Sequence, residues 1–448
     1  MKKKNLLLSA ALISALMLSS CGSKTGTTTT NSNETTTITN ETTTITNETP
    51  TNSNPEIPSN TSTNPEEPNN PDLVASTSLS NSFNNIFYKT LENEVDKNNN
   101  VLVSPFSIVM DFGMLENGAK GSTKEQMETY LNGGMSVEDL NEYMKTLKDK
   151  MMNSKELEWN VANSIWFNES QISDVSNDVK EIVKKYYDSE INKRPYNNDT
   201  LKEINEWVKK NTNDMIPVIL DKLNPSDVMH LINAVAFEGD WYVKFDEHDT
   251  TKNAPFKNLD GSTTNVDMLH SMNAGYFSSN DYIGFTKAFA DQNYSFFAMK
   301  SQKGLSPLEM MKKMKDDNED ISTIMTKYGI DGMANIGLPK FELDYDTVLN
   351  KTLMDMGVTN AFSPSADFSK LADSKDPLYI SKVIHKTHFE LSETGVKAAA
   401  ATSIAMTKGA MIKPKLDVEI NMDEPFIYGI YDNKNGLPIF IGCINNFK

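Results

Sequence analysis

The chain has 448 residues, with 61 Asp and Glu against 43 Lys and Arg, and a formal net charge of -18 at pH 7. That surplus argues against nucleic acid as a partner and against direct adhesion to an anionic membrane surface. The 2 cysteines and 5 histidines show no zinc-site spacing, so no metal or other cofactor is expected.

Lys2, Lys3 and Lys4 precede an apolar run from Leu6 to Leu18. This has the form of a secretory leader and is too short to span a bilayer comfortably. Leu18-Ser-Ser-Cys21 looks like a bacterial lipobox. Lipid on Cys21 would anchor the mature, extracellular chain to the bacterial cell membrane as a lipoprotein, without spanning it. Residues 1–20 are therefore assigned to the leader. In residues 21–75, Asn-Glu-Thr-Thr-Thr-Ile-Thr begins at Asn33 and again at Asn40, and prolines follow at 55, 58, 65, 68 and 71. Such a segment has too little apolar content for a core and reads as a disordered tether, stiffer in its second half.

The folded body is expected over residues 76–448. Leu79, Phe83, Ile86, Phe87 and Leu91 fall on one helical face, which Asn98-Asn-Asn100 ends. Val101 to Val103 is a short strand, Ser104-Pro105 turns the chain, and Ile108 to Glu116 reads as a buried helix. Ser122 with Glu125, and Thr200 with Glu203, have the spacing of capping boxes. Val228 to Phe237 is almost continuously apolar, as a central strand should be. Asn233 lies inside it and must find partners there. Ala334 to Leu343, Leu378 to Leu391 and Phe426 to Tyr431 are further strands. Asn435-Gly436 turns the last hairpin into Ile439 to Ile444. Helices early and strands late make the class α+β.

Catalytic chemistry is hard to find. His385 and His388 are three apart on a strand and face opposite sides, so they are not a metal pair. Cys443 sits in an apolar strand and reads as a core residue. With Cys21 lipidated, no disulfide can form within the chain. There is no Gly-x-Ser-x-Gly elbow and no phosphate-binding glycine loop. No carboxylates stand out as an acid–base pair. Tyr282 to Gly304 attracts no functional assignment.

One stretch asks for explanation. Glu393-Thr394-Gly395 leads into Val396, Ala398, Ala400, Thr402, Ile404 and Met406, a set at spacing two that is small or apolar throughout. Lys397, Ala399, Ala401 and Ser403 form the other set. The segment reads equally as an Ala-rich surface helix or linker, or as a loop able to become a central strand.

At these residues a resemblance enters. Glu393 to Thr402 is similar to the hinge of the reactive-centre loop of inhibitory serpins. Asn100-Val-Leu-Val-Ser-Pro-Phe-Ser-Ile108, Leu231 to Trp241, Leu338-Pro-Lys-Phe-Glu-Leu343, Met356 to Phe362, Val383-Ile-His-Lys-Thr387 and Asp423-Glu-Pro-Phe426 resemble other serpin motifs in the same order. The resemblance covers roughly residues 76 to 448. It implies a large, mostly antiparallel central sheet with flanking helices and an exposed loop. It also implies a suicide-substrate inhibitor of a serine or cysteine protease. The cleaved loop inserts as a new strand and drags the covalently bound protease with it. Ser104, Ser107, Asn233 and His385 match the family's polar cluster beneath the opening sheet, and Trp241, Lys340 and Glu393 match positions at its top. Val396 stands where relatives usually carry Thr or Ser. Lys397 would point outward and stay wet.

The family spacing places the cleaved residue about sixteen positions after the hinge glutamate. The scissile-bond candidates are thus Lys408, Gly409 and Ala410, with Lys408–Gly409 preferred. A trypsin-like acidic pocket would suit Lys408. The competing reading is a non-inhibitory serpin-fold binding protein at the cell surface. Such relatives usually carry charged or bulky hinge residues. A monomer is expected.

Overall fold

The computed structural model describes residues 71–94, 99–396 and 418–448. Helix α1 (Pro71–Glu94) buries the predicted face of Leu79, Phe83, Ile86, Phe87 and Leu91. After the strand Val101–Val103, helix α2 starts at Pro105 and runs to Glu116, three residues earlier than its apolar run suggests. Ser104 is its N-cap and accepts from Ser107 N. Pro105 sits at the first helical position, where its missing N–H is no loss. Every residue of α2 is buried. The helices α3 (Gly121–Tyr130), α4 (Val137–Met152), α5 (Asn177–Tyr187) and α6 (Asn198–Asn211) follow.

Neither predicted capping box forms. Helix α3 starts on the main chain at Lys120 without a side-chain cap, and Ser122 Oγ accepts from Asn360 Nδ2 at 2.7 Å. Helix α6 is capped by Asn197, whose Oδ1 accepts from the amides of Asp199 and Thr200 at 2.9 and 3.0 Å. Thr200 donates instead to Pro195 O, and Glu203 pairs with Arg194 at 2.9 Å. A better cap upstream displaces the Thr in each sense that matters. A capping box does form at Ser306 and Glu309, opening the helix Pro307–Asp316.

Two sheets carry the fold. The six-stranded one contains β1 (Leu157–Asn168), β2 (Glu190–Arg194), β3 (Met229–Asp240), β4 (Phe341–Val348), β5 (Lys382–Leu391) and β6 (Gly395–Val396), in spatial order β4-β5-β6-β3-β1-β2. Below β6, β5 and β3 meet directly and run parallel, from Lys382 opposite His230 to His388 opposite Ala236. The nine-stranded sheet includes Val101–Val103, Leu437–Ile444, Phe426–Asp432, Tyr294–Ser301 and Tyr282–Ala288 as successive neighbours. The predicted strand Ala334–Leu343 is in fact two. Gly329–Pro339 belongs to the nine-stranded sheet and β4 to the six-stranded one, with the chain changing sheets at Lys340. The strand foreseen from Leu378 starts only at Lys382.

The inner faces of the sheets meet in an aromatic core. Trp159 on β1 packs on Phe237 at 4.5 Å and on Tyr294 at 5.0 Å between ring centroids; Phe389 on β5 packs on Tyr428 at 5.4 Å. The outer face of the six-stranded sheet is covered in part by α6, whose Ile204 and Val208 cluster with Ala162, Trp166, Ile232, Ala234 and Ile384. Burial on both faces is why β3 reads as an unbroken apolar run. Cys443 is buried, and burial pushes its thiol up to about 12, so it is an inert core residue.

Because α6 covers the sheet, its cap matters to the fold. Asn197→Ala should lower stability by about 1 kcal/mol in urea unfolding. Ser122→Ala, at the box that does not form, should change it by much less. Equal losses at the two positions would contradict this assignment of caps.

Candidate functional site

The site is the seam between β5 and β3. At Leu391 the chain leaves β5, turns through Ser392, Glu393 and Thr394, and returns as β6. Ser392 N and Oγ both donate to Gly395 O, at 2.9 and 3.0 Å, closing the turn. Val396 is level with Leu391 on one side and Gly239 on the other, and it is fully buried. A Cβ on Gly395 would lie 2.2 Å from Gly239 O, so the close backbone approach requires glycine.

The segment following β3 grips the turn by its main chain. Trp241 N donates to Thr394 O at 3.0 Å, Phe245 N to Glu393 O at 2.9 Å, and Trp241 Nε1 to Ser392 O at 2.9 Å. Trp241 itself stacks on Phe289 at 4.9 Å. Lys340, at the point where the chain changes sheets, reaches Glu393 Oε2 at 2.8 Å. Partial burial opposes ionisation of Glu393, but Lys340 prevails and holds the carboxyl below its usual range. Lys287 completes the top. Its ammonium is buried over the rings of Phe245 (4.3 Å) and Trp241 (5.8 Å) and donates to Ser271 Oγ at 3.1 Å. Burial brings it down to about 8. It lies in the stretch to which the sequence assigned nothing; a lone Lys in a strand gives no signal until the aromatic rings above it are known.

Further down the seam lies the polar cluster. Asn233 on β3 and His385 on β5 are register partners, and Asn233 Oδ1 meets His385 Nδ1 directly across the seam. Asn233 Nδ2 donates to Ser107 Oγ at 2.6 Å and to Asn163 Oδ1 at 2.9 Å. Ser104 N donates to His385 Nε2 at 3.2 Å, and Ser104 Oγ to Ile439 O at 3.1 Å. The four residues expected together are together. Asn163, on β1, joins them without having been foreseen; its register opposite Asn233 is a tertiary fact. Asp111 of α2 lies beside them, and here a signal existed: Ser104, Ser107 and Asp111 are spaced to share one helical face.

His388 faces away from His385 and bonds Asp344 at 2.8 Å. With Glu342 these groups bring three ligand-type atoms within 4.8 Å. The His388 Nδ1 edge is already committed to Asp344, and both carboxylates are exposed, so the group reads as a hydrogen-bonded pair with a second carboxylate beside it. Lys397, Ala398, Ala399, Ala400, Ala401, Thr402, Lys408, Gly409, Ala410 and Cys21 lie outside the described residues.

Burial holds His385 down to about 3, far below its ordinary value of 6.5. The sign follows from linkage. The folded form keeps the ring neutral, so this stability is full above pH 6.5 and is lost as pH falls from there towards 3. Between pH 7 and 5, the parent should lose about 2 kcal/mol more in urea unfolding than His385→Gln. Identical pH slopes in parent and variant would show that this ring is not what titrates.

Residues 78–447 match the family model described as Serpin (serine protease inhibitor). A serpin-like protein of Methanosarcina mazei is 29% identical over 401 residues, which cover 86% of this chain and 91% of the relative. The leukocyte elastase inhibitor of Xenopus tropicalis is 31% identical over 367 residues, 78% of this chain and 94% of that protein. The native state of tengpin, a thermophilic serpin, has a TM-score of 0.76 at 34% identity, covering 85% of this chain and 96% of tengpin. The chain therefore belongs to the serpin family.

Proposed function

We propose that this serpin is a suicide-substrate inhibitor of a serine or cysteine protease. The observation that carries the reading is the register of the seated hinge. Val396 is antiparallel to both β5 and β3, and those two strands are themselves in step. The loop can therefore continue down the seam without a slip against either wall. Carried forward, the register brings Ala398 level with Phe389 and Phe237, Ala400 level with Thr387 and Val235, and Thr402 level with His385 and Asn233. Inserted there, Ala398 would meet two aromatic residues, Ala400 a Thr and a Val, and the Thr402 hydroxyl the polar cluster. The outward set, including Lys397, would keep its charge on the solvent side.

In the reaction, the nucleophile of the protease attacks the carbonyl of the scissile residue, with Lys408 preferred. The new N-terminus leaves, and the loop arm stays ester- or thioester-linked to the protease. Strand insertion then competes with hydrolysis of that bond. Insertion before water attacks leaves the protease trapped. A relative named for inhibition of leukocyte elastase supports the class without assigning the target. The uncharged inward set of the hinge, Val396, Ala398, Ala400 and Thr402, favours this reading over a binding protein without inhibitory activity.

Val396 tests it directly, because the side chain is fully buried at the top of the seam. Val396→Arg would place an unpaired charge there, at a penalty far above any gain from packing. The variant should still be cleaved but should form no complex stable on a denaturing gel. Trapping at the parent's efficiency would refute the register argument.

The same reading extends to location. Helix α1 begins at Pro71, five residues before the expected start of the body, so the tether is shorter than the sequence suggests; we propose that Cys21 carries the lipid and that residues 21–70 act as a tether, holding the inhibitor at the cell surface. Cys21→Ser should release the protein to the medium or leave the precursor unprocessed, as fractionation and mass spectrometry would detect. Retention of a processed Cys21→Ser chain on the membrane would mean another anchor.

A further inference from the structure

Helix α1 has two distinct faces. Leu79, Phe83, Ile86, Phe87 and Leu91 pack into the core. Ser78, Asn81, Ser82 and Asn85 fall at i, i+3, i+4 and i+7, a second stripe made of uncharged hydrogen-bonding groups. A helix face that looks onto bulk water normally carries charge. This one looks into a cavity of about 420 Å³, closed by the end of α3 and by the helix Pro307–Asp316.

One wall of the cavity is apolar: Met311 and Met314 line it and are buried. The other wall is polar and unsatisfied. Among the described residues, no hydrogen bond engages the side chains of Ser78, Asn81, Ser82, Asn85 or, on α3, Thr129. Ser82 is only 6% exposed, yet its hydroxyl has no protein partner. A buried hydroxyl in that state lowers stability unless a ligand or solvent supplies the bond. The acids that line the cavity are already committed. Asp320 accepts from Ser80 Oγ at 2.5 Å and from Thr323 N at 2.7 Å, and Glu319 pairs with Lys327 at 2.7 Å. Lys315 lies over the Tyr88 ring, 4.9 Å from its centroid. At the rim, Tyr130 is 41% exposed. Its ring is seated against the Gly357 backbone, where a Cβ would come within 2.4 Å of Tyr130 Cε2.

We propose that this cavity is a saccharide site, taking a neutral mono- or disaccharide unit. A sugar presents hydroxyls that both donate and accept, on a C–H framework with apolar faces. The amides of Asn81 and Asn85 each offer a donor and an acceptor, and the hydroxyls of Ser78, Ser82 and Thr129 do the same. Tyr130 and the two methionines meet the apolar faces. Other ligand classes fit less well. A purely apolar molecule would seal the amides and Ser82 away from water without partners. A cation would find no uncommitted carboxylate on the wall, and an anion would find only Lys315. The volume lies within the roughly 300–1,000 Å³ of small-molecule sites. None of these residues belongs to the seam or the hinge, so the site stands whether or not the loop inserts.

The test titrates the full chain with cellobiose, maltose, lactose and N,N′-diacetylchitobiose by isothermal calorimetry, which needs no protease and so is independent of the inhibitory reading. At least one of these sugars should bind saturably, in the millimolar range or tighter. Replacing Asn81→Ala together with Asn85→Ala should weaken that binding about tenfold or more. Tyr130→Ala should weaken it as well, whereas Tyr130→Phe, which keeps the ring, and Lys315→Ala should leave it within about twofold. A thermal midpoint equal to the parent's separates a lost site from a lost fold. Should the double variant misfold, the contrast of Tyr130→Ala with Tyr130→Phe carries the same test. Retention of the chain on insoluble chitin or cellulose, besides disaccharide binding, would identify the end of a glycan as the ligand; disaccharide binding alone would identify a free sugar. Binding of none of the sugars overturns the proposal. So does undiminished binding by a folded double variant, because the sugar would then sit elsewhere. Loss of binding on Lys315→Ala would mean that charge is what is recognised, and the neutral-saccharide assignment would fall.

Discussion

The structure turns on a parallel ladder between two strands that could be better paired. From His230 to Ala236, β3 lies directly against β5 with both running the same way. Parallel pairing is slightly less stable per residue than antiparallel pairing. A strand inserted between them, running as β6 already does, would replace that single parallel ladder by two antiparallel ones. The closed sheet is thus short of backbone hydrogen bonds relative to a sheet with one more strand. What keeps it closed is local: the Asn233–His385 contact, the serines beneath it, and the grip of Trp241 and Phe245 on the turn above.

The interior is organised to hold that arrangement without charge. His385, Cys443 and Asp111 are all fully buried, and each is displaced by burial towards its neutral form. Buried polar groups then act through hydrogen bonds alone, whose partners can be exchanged as strands move. A charged pair in the same place would have to be broken at a much greater loss. At the top of the sheet, where water reaches, the Lys340–Glu393 pair can be charged. There Lys340 is substantially exposed, and the pair is an ion pair of the surface type, worth about 0–1 kcal/mol.

Much of this was legible in the sequence, for identifiable reasons. The face of α1 and the apolar run of β3 follow from periodicity and burial, which act locally. The resemblance located the cluster and the hinge. The failures occurred where a tertiary choice overrode a local one. Thr200 has the spacing of a cap, but Asn197 lies upstream in better geometry. Ala334–Leu343 reads as one strand because both halves are apolar, and only the two sheets reveal the break at Lys340. Lys287 was passed over because a single charged residue in an apolar segment looks like an exposed edge. Its burial depends on elements distant in the chain.

The hinge sequence itself follows from how it is held. Trp241 and Phe245 take the carbonyl oxygens of Ser392, Glu393 and Thr394, contacts that any side chain would permit. Side-chain identity is therefore constrained at few points. Gly395 is required by the approach of Gly239 O. Position 396 need only be uncharged and compatible with a strand. Its cross-strand partners there are Leu391 and Gly239, so a hydroxyl would need a partner elsewhere, whereas Val needs none and is β-branched, as strands favour. The departure from the Thr or Ser usual in the family is thus consistent with a hinge that enters the sheet, because the property under constraint is burial without charge.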